Sequence, residues 1–83
     1  MSSAPQTILI TGATGTIGSG LAPYFASLGH QVILTARDRT RLDELSASLN
    51  NAPAYTADLS DTDSLKYLVT QLHTDGHTID ILI

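Results

Sequence analysis

Hydrophobic positions along the chain fall into short continuous runs separated by longer stretches with helical spacing. Continuous apolar runs are typical of parallel strands covered on both faces. Apolar residues spaced by three and four positions predict amphipathic helices. In chain order, the pattern predicts strand 6–10, helix 16–28, strand 31–36, helix 39–49, strand 54–57, a helix ending near Gly76, and strand 79–83.

Strict alternation of strands and helices predicts an α/β fold with a parallel sheet and right-handed crossovers. A doubly wound sheet of this kind has the strand order 3-2-1-4, so strands 1 and 4 lie side by side. Ligands bind at that switch point, outside the carboxyl ends of the strands. We therefore expect one β-α-β-α-β-α-β unit with its binding site at that edge.

Each predicted helix has recognisable end signals. Pro23 lacks an N–H group, which predicts a kink or a shifted start in the first helix, and Gly29 is expected to close it. Asp38 is the expected N-cap of the second helix, and Ser60 with Asp63 resembles a capping box for the third. The expected apolar faces are Ile17, Leu21, Tyr24, Phe25 and Leu28, then Leu42, Leu45 and Leu49, then Leu65, Leu68, Val69 and Leu72.

A glycine-rich segment joins the first strand to the first helix. Residues 11–18 read Thr-Gly-Ala-Thr-Gly-Thr-Ile-Gly, with glycines at 12, 15 and 18. Such glycines permit a tight turn, a close approach of backbone to phosphate, and close packing of helix on strand. We expect the backbone N–H groups of four consecutive residues, Thr14, Gly15, Thr16 and Ile17, to contact a pyrophosphate. The alternative is a glycine-rich turn that binds no ligand.

Composition excludes several other classes of function. The net charge of −4 gives no attraction to nucleic acid or to anionic membranes, and the absence of cysteine excludes disulfides and thiolate metal sites. His30, His73 and His77 lack metal-ligand spacing, so no metal site is predicted. The amino terminus lacks the features of a signal peptide, and no apolar run has membrane-spanning length, so a cytoplasmic location is the default expectation.

With the glycine turn, Arg37 after the second strand, and the Asp58-Leu59 pair, the chain resembles the N-terminal half of a short-chain dehydrogenase/reductase. The resemblance implies a Rossmann-like fold, with residues 1–83 as the N-terminal NAD(P)-binding portion of a single, incomplete domain. The turn spacing is more usual among extended and atypical members of the family, whereas the segments Thr35-Ala36-Arg37-Asp38 and Asp58-Leu59 resemble its classical members. Strand 79–83 is similar to the strand before the family's Asn-Asn-Ala-Gly motif, which is absent here.

The family's catalytic Tyr-x-x-x-Lys pair is also absent. Lys66 is the only lysine, and the residue four positions before it is Thr62. By this resemblance no catalytic residue is expected in the chain, which is predicted to be inactive alone. An abrupt ending in strand 79–83 suggests a fragment with an exposed apolar edge that invites pairing.

The resemblance also bears on the cofactor. Ala36 stands where NAD-dependent members carry an acidic residue, and Arg37 follows, so we expect Arg37 on a 2′-phosphate and Asp38 capping the helix. A shift of one residue would instead put Asp38 at the ribose. NADP is therefore predicted over NAD. Asp58 is expected to accept a hydrogen bond from adenine with the Leu59 N–H nearby, or only to organise the turn.

The resulting prediction is an NADP-binding segment of an oxidoreductase that transfers hydride between the cofactor and a carbonyl or alcohol. One alternative is a non-enzymatic nucleotide-binding or regulatory module. Another alternative is an extended-type member of the family, acting as an epimerase or on sugar nucleotides.

The chain is also predicted to form a homo-oligomer, either through the edge of strand 79–83 or through a missing C-terminal half.

Overall fold

A computed structural model describes residues 5–83, which form a four-stranded parallel sheet flanked by three helices. Each predicted strand and helix is present. The elements are β1 (Thr7–Ile10), α1 (Thr16–Ser27), β2 (Gln31–Ala36), α2 (Arg39–Ser48), β3 (Ala54–Thr56), α3 (Thr62–Thr74) and β4 (Ile81–Leu82).

The strand order is β3-β2-β1-β4, with every neighbouring pair parallel. Ile8 of β1 lies opposite Val32 on one side and opposite Ile81 on the other. This is the predicted doubly wound order, and it brings the carboxyl ends of β1, β2 and β3 to one edge of the sheet.

Alternate side chains of the central strands fill two separate hydrophobic layers. Ile8 and Ile10 pack toward α1 and α2, where Ala22 and Leu42 are fully buried. Leu9 packs on the opposite side, in the layer that α3 covers. Ile33, Tyr55, Ala57, Leu68 and Leu72 complete that second layer. Burial on both faces explains why the strands are continuous apolar runs.

The predicted apolar face of α1 is wrong at three of its positions. Ile17, Tyr24 and Leu28 are 77%, 58% and 56% exposed. The helix instead buries Gly18 and Ala22 against the sheet, with Phe25 half-buried beside them. Small residues at spacing four let the helix axis approach the strands more closely than a row of large side chains would.

Pro23 does not shift the start of α1, since the helix begins at Thr16 and continues through the proline. Gly29 follows the helix with a φ of 88°, as expected for a residue that closes it. In α2, the predicted N-cap Asp38 and the buried position of Leu42 are both confirmed.

The predicted capping box of α3 is wrong. Asp61 is the N-cap, and its carboxylate accepts from the backbone N–H of Asp63 at 3.0 Å. Ser60 lies before the helix, with its N–H and hydroxyl both turned to Asp58. Among the predicted apolar residues of α3, Leu65 and Val69 are exposed.

The last strand is shorter than the predicted 79–83, although hydrogen bonds extend beyond it. The N–H groups of Asp80 and Ile83 donate to the carbonyls of Thr7 and Leu9, each at 2.9 Å. β4 lies at the edge of the sheet, where Leu82 is 67% exposed. No helix within residues 5–83 has the length and apolar character needed to cross a bilayer.

Candidate nucleotide-binding site

A cavity of about 590 Å³ lies at the carboxyl ends of β1, β2 and β3. Its volume falls within the range of about 300–1,000 Å³ typical of small-molecule sites. The turn after β1, the start of the segment after β2, and the turn after β3 each contribute residues. The lining consists of Gly12, Thr14, Gly15, Thr35, Ala36, Arg37, Asp38, Ala57, Asp58, Leu59 and Ser60.

The turn after β1 is fixed by hydrogen bonds to its neighbours. Gly12 has a φ of 59°, a left-handed conformation that glycine adopts without strain. The buried Ala13 donates its N–H to the carbonyl of Thr35 at 3.0 Å, which ties the turn to the end of β2. Both the N–H and the hydroxyl of Thr11 donate to the carbonyl of Ile83, at 2.8 and 2.7 Å. The turn is therefore held from both sides.

Glycine at 18 is required by the close packing of α1 on this turn. A Cβ added at Gly18 would stand 2.9 Å from the Cα of Ala13 and closer still to the carbonyl oxygen of Gly12. At Gly15 the same addition would meet the Gly12 oxygen at 3.2 Å. The turn and the first turn of α1 thus form one compact unit, with no space for a side chain at position 18 and only a narrow space at position 15.

The N-terminus of α1 is the least satisfied of the three helices. Its N-cap is Gly15, and no described side chain caps it. The first N–H groups of any α-helix have no acceptor within the helix, so those of Thr16, Ile17 and Gly18 are left for an outside partner. Together with the positive end of the helix dipole, they provide a binding point for an anion.

Arg37 and Asp38 follow β2 at the edge of the cavity. Asp38 Oδ1 accepts from the backbone N–H of Arg41 at 3.2 Å, which caps α2. Arg37, in contrast, makes no side-chain hydrogen bond or ion pair with any residue of the range 5–83. Its guanidinium therefore supplies a positive charge to the cavity without being held by a direct contact to a described side chain.

Asp58 organises the turn that leads into α3. Its Oδ1 accepts from the Ser60 hydroxyl at 2.6 Å and from the Ser60 N–H at 3.0 Å. These two hydrogen bonds, with a smaller contribution from the charge of Arg37, hold the pKa of Asp58 below its usual value. The carboxylate is consequently ionised at neutral pH and acts only as an acceptor.

Most residues predicted from the sequence lie together in this cavity, namely Gly12, Thr14, Gly15, Arg37, Asp38, Asp58 and Leu59. Thr16, Ile17 and Gly18 lie beside it, in the first turn of α1. Thr35 was not among the predicted site residues, although it lines the cavity. It is a fully buried threonine whose hydroxyl donates to the carbonyl of Tyr55 at 2.8 Å. A polar residue in an otherwise apolar strand is the signal that would have revealed it.

Comparison with known proteins shows which family shares this arrangement. The family model for short chain dehydrogenases matches residues 6–83. A serine 3-dehydrogenase of Rhizobium radiobacter is 41% identical over 78 residues, covering 93% of this chain and 31% of the relative. An NADP-dependent 3-hydroxy acid dehydrogenase of Shigella flexneri is 32% identical over 77 residues, covering 92% of this chain and 31% of the relative.

Solved structures show the same fold. Serine dehydrogenase in its closed form, complexed with NADP⁺, superposes with a TM-score of 0.83 at 32% identity, covering 92% of this chain and 31% of that one. Menthone neomenthol reductase from Mentha piperita superposes with a TM-score of 0.85 at 28% identity, covering 96% of this chain and 31% of that one. The chain thus spans about a third of the length of these proteins. By the match along nearly its entire length, the chain belongs to the short chain dehydrogenase family.

Proposed function

We propose that the chain binds NADP in this cavity and forms the dinucleotide-binding part of an oxidoreductase acting on a carbonyl or alcohol. One observation carries the proposal. The cavity combines a helix N-terminus that no described side chain caps with an arginine that has no partner in residues 5–83. These are two separate places for negative charge, and a 2′-phosphorylated dinucleotide carries two separate phosphate groups.

The glycine turn supports the first of these places. The backbone N–H groups of Thr14, Thr16 and Ile17 are proposed to hold the pyrophosphate, with Gly12, Gly15 and Gly18 keeping the backbone accessible. An added Cβ at Gly12 would meet no atom within 4 Å, so the space beside this residue is open. The residues present therefore fit a bound pyrophosphate.

The segment after β2 supports the second place. Ala36 provides no carboxylate to bind two ribose hydroxyls or repel a 2′-phosphate, and the Asp38 carboxylate is already used to cap α2. Arg37 is then proposed to bind the 2′-phosphate, since a guanidinium can donate two parallel hydrogen bonds to it. This favours NADP over NAD.

Asp58 and Leu59 are proposed to lie against the adenine. Asp58 Oδ1 is occupied by Ser60, whereas its Oδ2 accepts no hydrogen bond from the described part of the chain. An ionised oxygen at the cavity wall is a suitable acceptor for the exocyclic amino group, with the Leu59 N–H beside it. The role of Asp58 in the turn and its proposed role in binding use different oxygens.

When bound, NADP would supply hydride transfer, while this chain's residues hold and orient the adenosine and phosphate portions. Relatives named as a serine 3-dehydrogenase and an NADP-dependent 3-hydroxy acid dehydrogenase support an alcohol or carbonyl substrate. No residue of this chain matches the Tyr-x-x-x-Lys pair, because Thr62 stands four positions before the only lysine, Lys66. The proposal for this chain is therefore limited to binding.

Isothermal titration of the chain with NADP⁺ and NAD⁺ tests the proposal. NADP⁺ is expected to bind more tightly, and Arg37→Ala should cost its binding roughly 1.5–3 kcal/mol, the value of a hydrogen bond to a charged group. Lys66→Ala removes the same charge from α3, outside the cavity lining, and should leave both affinities unchanged. A preference for NAD⁺ that Asp38→Ala relaxes would contradict the assignment of Arg37.

A further inference from the structure

The proposed 2′-phosphate corner contains an apparent conflict of charge. Arg37 and Asp38 are adjacent in the chain, and both line the cavity. A carboxylate near a phosphate group repels it, and unlike charges on neighbouring residues offset each other's field. A site that selects a 2′-phosphate therefore requires something that removes the effect of Asp38.

Asp38 is held by a single residue, Arg41, through both of its carboxylate oxygens. Oδ1 accepts from the Arg41 backbone N–H at 3.2 Å, and Oδ2 lies 3.8 Å from the Arg41 Nε. Both contacts fix the carboxylate at the N-terminus of α2, where the helix dipole also stabilises negative charge.

Arg41 also shares a cavity with a residue of the glycine turn. It lines a second cavity of about 310 Å³, together with Thr14, which lines the first cavity as well. Arg39, one position from the cap, is directed elsewhere. It pairs with Asp43 at 3.3 Å and donates to the Thr56 hydroxyl at 2.9 Å.

We infer that Arg41 is a positioning residue for cofactor selection, which keeps Asp38 on the α2 N-terminus and offsets its charge so that Arg37 can bind a 2′-phosphate. The inference rests on the proposed binding of NADP in this cavity. It assigns Arg41 no contact with the ligand, because its effect passes through Asp38. The three arginines near this corner then have three different roles.

Two small probes isolate the 2′-phosphate, namely adenosine 2′,5′-bisphosphate and adenosine 5′-monophosphate. The measured quantity is the ratio of their affinities for the full chain. Arg41→Ala should lower this ratio by about two- to fivefold, in line with the strength of an exposed ion pair. A loss of structure would weaken both probes alike and leave the ratio unchanged. Arg41→Lys, which keeps the charge, should restore most of the ratio.

Arg39→Ala is the matched control, since it removes the same charge from the same helical turn and should not change the ratio. In an Asp38→Asn background, which keeps a capping oxygen but removes the charge, Arg41→Ala should have no further effect. An equal loss in that background would mean that Arg41 contacts the phosphate directly, and would overturn the inference.

An unchanged ratio in Arg41→Ala itself would also overturn it, while leaving the proposed function intact. If neither probe binds the wild-type chain, the proposed function fails, and this inference fails with it. Thermal unfolding of each variant checks that the fold is retained, which is expected because the Arg41 side chain is 71% exposed.

Discussion

The three helices of this chain begin in two different ways. Asp38 caps α2 and Asp61 caps α3, each through a carboxylate that accepts a backbone N–H of the first turn. α1 begins at Gly15, which has no side chain to do this. Backbone N–H groups at the N-termini of α2 and α3 thus donate to acidic residues of the chain, whereas those of α1 have no side-chain acceptor.

This difference matches the proposed function, in which the α1 terminus binds a ligand and the other two termini only stabilise their helices. At α2 and α3 the aspartate cap stabilises the helix, and its removal lowers stability by about 1 kcal/mol. At α1 a carboxylate would occupy the position that an anionic ligand needs. Glycine there forgoes the stability of a cap and leaves the terminus accessible, beside a cavity that also contains Arg37.

The largest effect is expected from a change in the packing beneath the α1 terminus. Gly18→Ala should lower the free energy of unfolding by about 1–3 kcal/mol, because its Cβ would overlap the backbone of the glycine turn. Gly20→Ala is the matched control in the same helix, since its Cβ would meet nothing within 4 Å. It should raise stability by about 0.5–1 kcal/mol. Urea denaturation followed by circular dichroism measures both, and equal stabilities would contradict the packing account.

The next effect concerns the missing cap. Gly15 has φ −75° and ψ 174°, a conformation open to any residue, so Gly15→Asp should give α1 the acidic cap that the other helices have. The new charge should weaken NADP⁺ binding about tenfold or more, since like charges a few ångströms apart cost about 1–4 kcal/mol. Gly15→Asn, of the same shape but neutral, should weaken binding less. Identical affinities for the two variants would show that charge at this terminus is irrelevant.

A smaller effect is expected at a terminus that is already capped. Asp61→Ala should lower stability by about 1 kcal/mol, since it removes the acceptor for the Asp63 N–H. Because Asp61 does not line the cavity, NADP⁺ affinity should not change. The result to look for is a lower urea midpoint with an unaltered titration curve. A parallel loss of binding would break the distinction between the two kinds of helix end.

The smallest expected effect is a change in the pKa of Asp58. The folded-state pKa of Asp58 lies below its ordinary 3.8, so the stability it contributes is present above that pH and lost as the pH falls through the folded value. Ser60→Ala removes the main cause and should raise the Asp58 pKa toward the ordinary value. Carbon-detected NMR of the carboxyl group measures it, and an unshifted pKa would assign the effect to another neighbour.

The sequence was sufficient to predict the order of elements and the topology of the sheet. Alternating apolar runs, with end signals such as Gly29 and Asp38, are local features that tertiary packing did not override. The buried face of α1 was not predictable in this way. Ile17, Tyr24 and Leu28 have helical spacing and high hydrophobicity, yet they are exposed. The helix instead packs Gly18 on the glycine turn, where no Cβ fits, and buries Ala22 in the core.

The prediction of the α3 cap was wrong because it depends on which hydrogen bonds form in the folded chain. Ser60, Asp61 and Asp63 all have side chains suited to capping, and only the hydrogen bonds of Ser60 to Asp58 leave Asp61 as the cap. In the candidate site, the glycine turn and Arg37 were recognisable from position alone. Thr35 stands out in the sequence as a polar residue in an apolar strand, but its hydrogen bond to the Tyr55 carbonyl depends on the pairing of β2 with β3. Self-association through the edge of β4 stays a prediction.

The first turn of α1 is proposed to bind the phosphates of a dinucleotide. A titration of the isotopically labelled chain with NADP⁺, followed by amide proton and nitrogen shifts, tests this directly. The largest changes should occur at the N–H groups of Thr14, Thr16 and Ile17, with the N–H of Asp63 at the capped terminus of α3 changing much less. Changes centred on Asp63 and α3, or none at the α1 terminus, would contradict the claim.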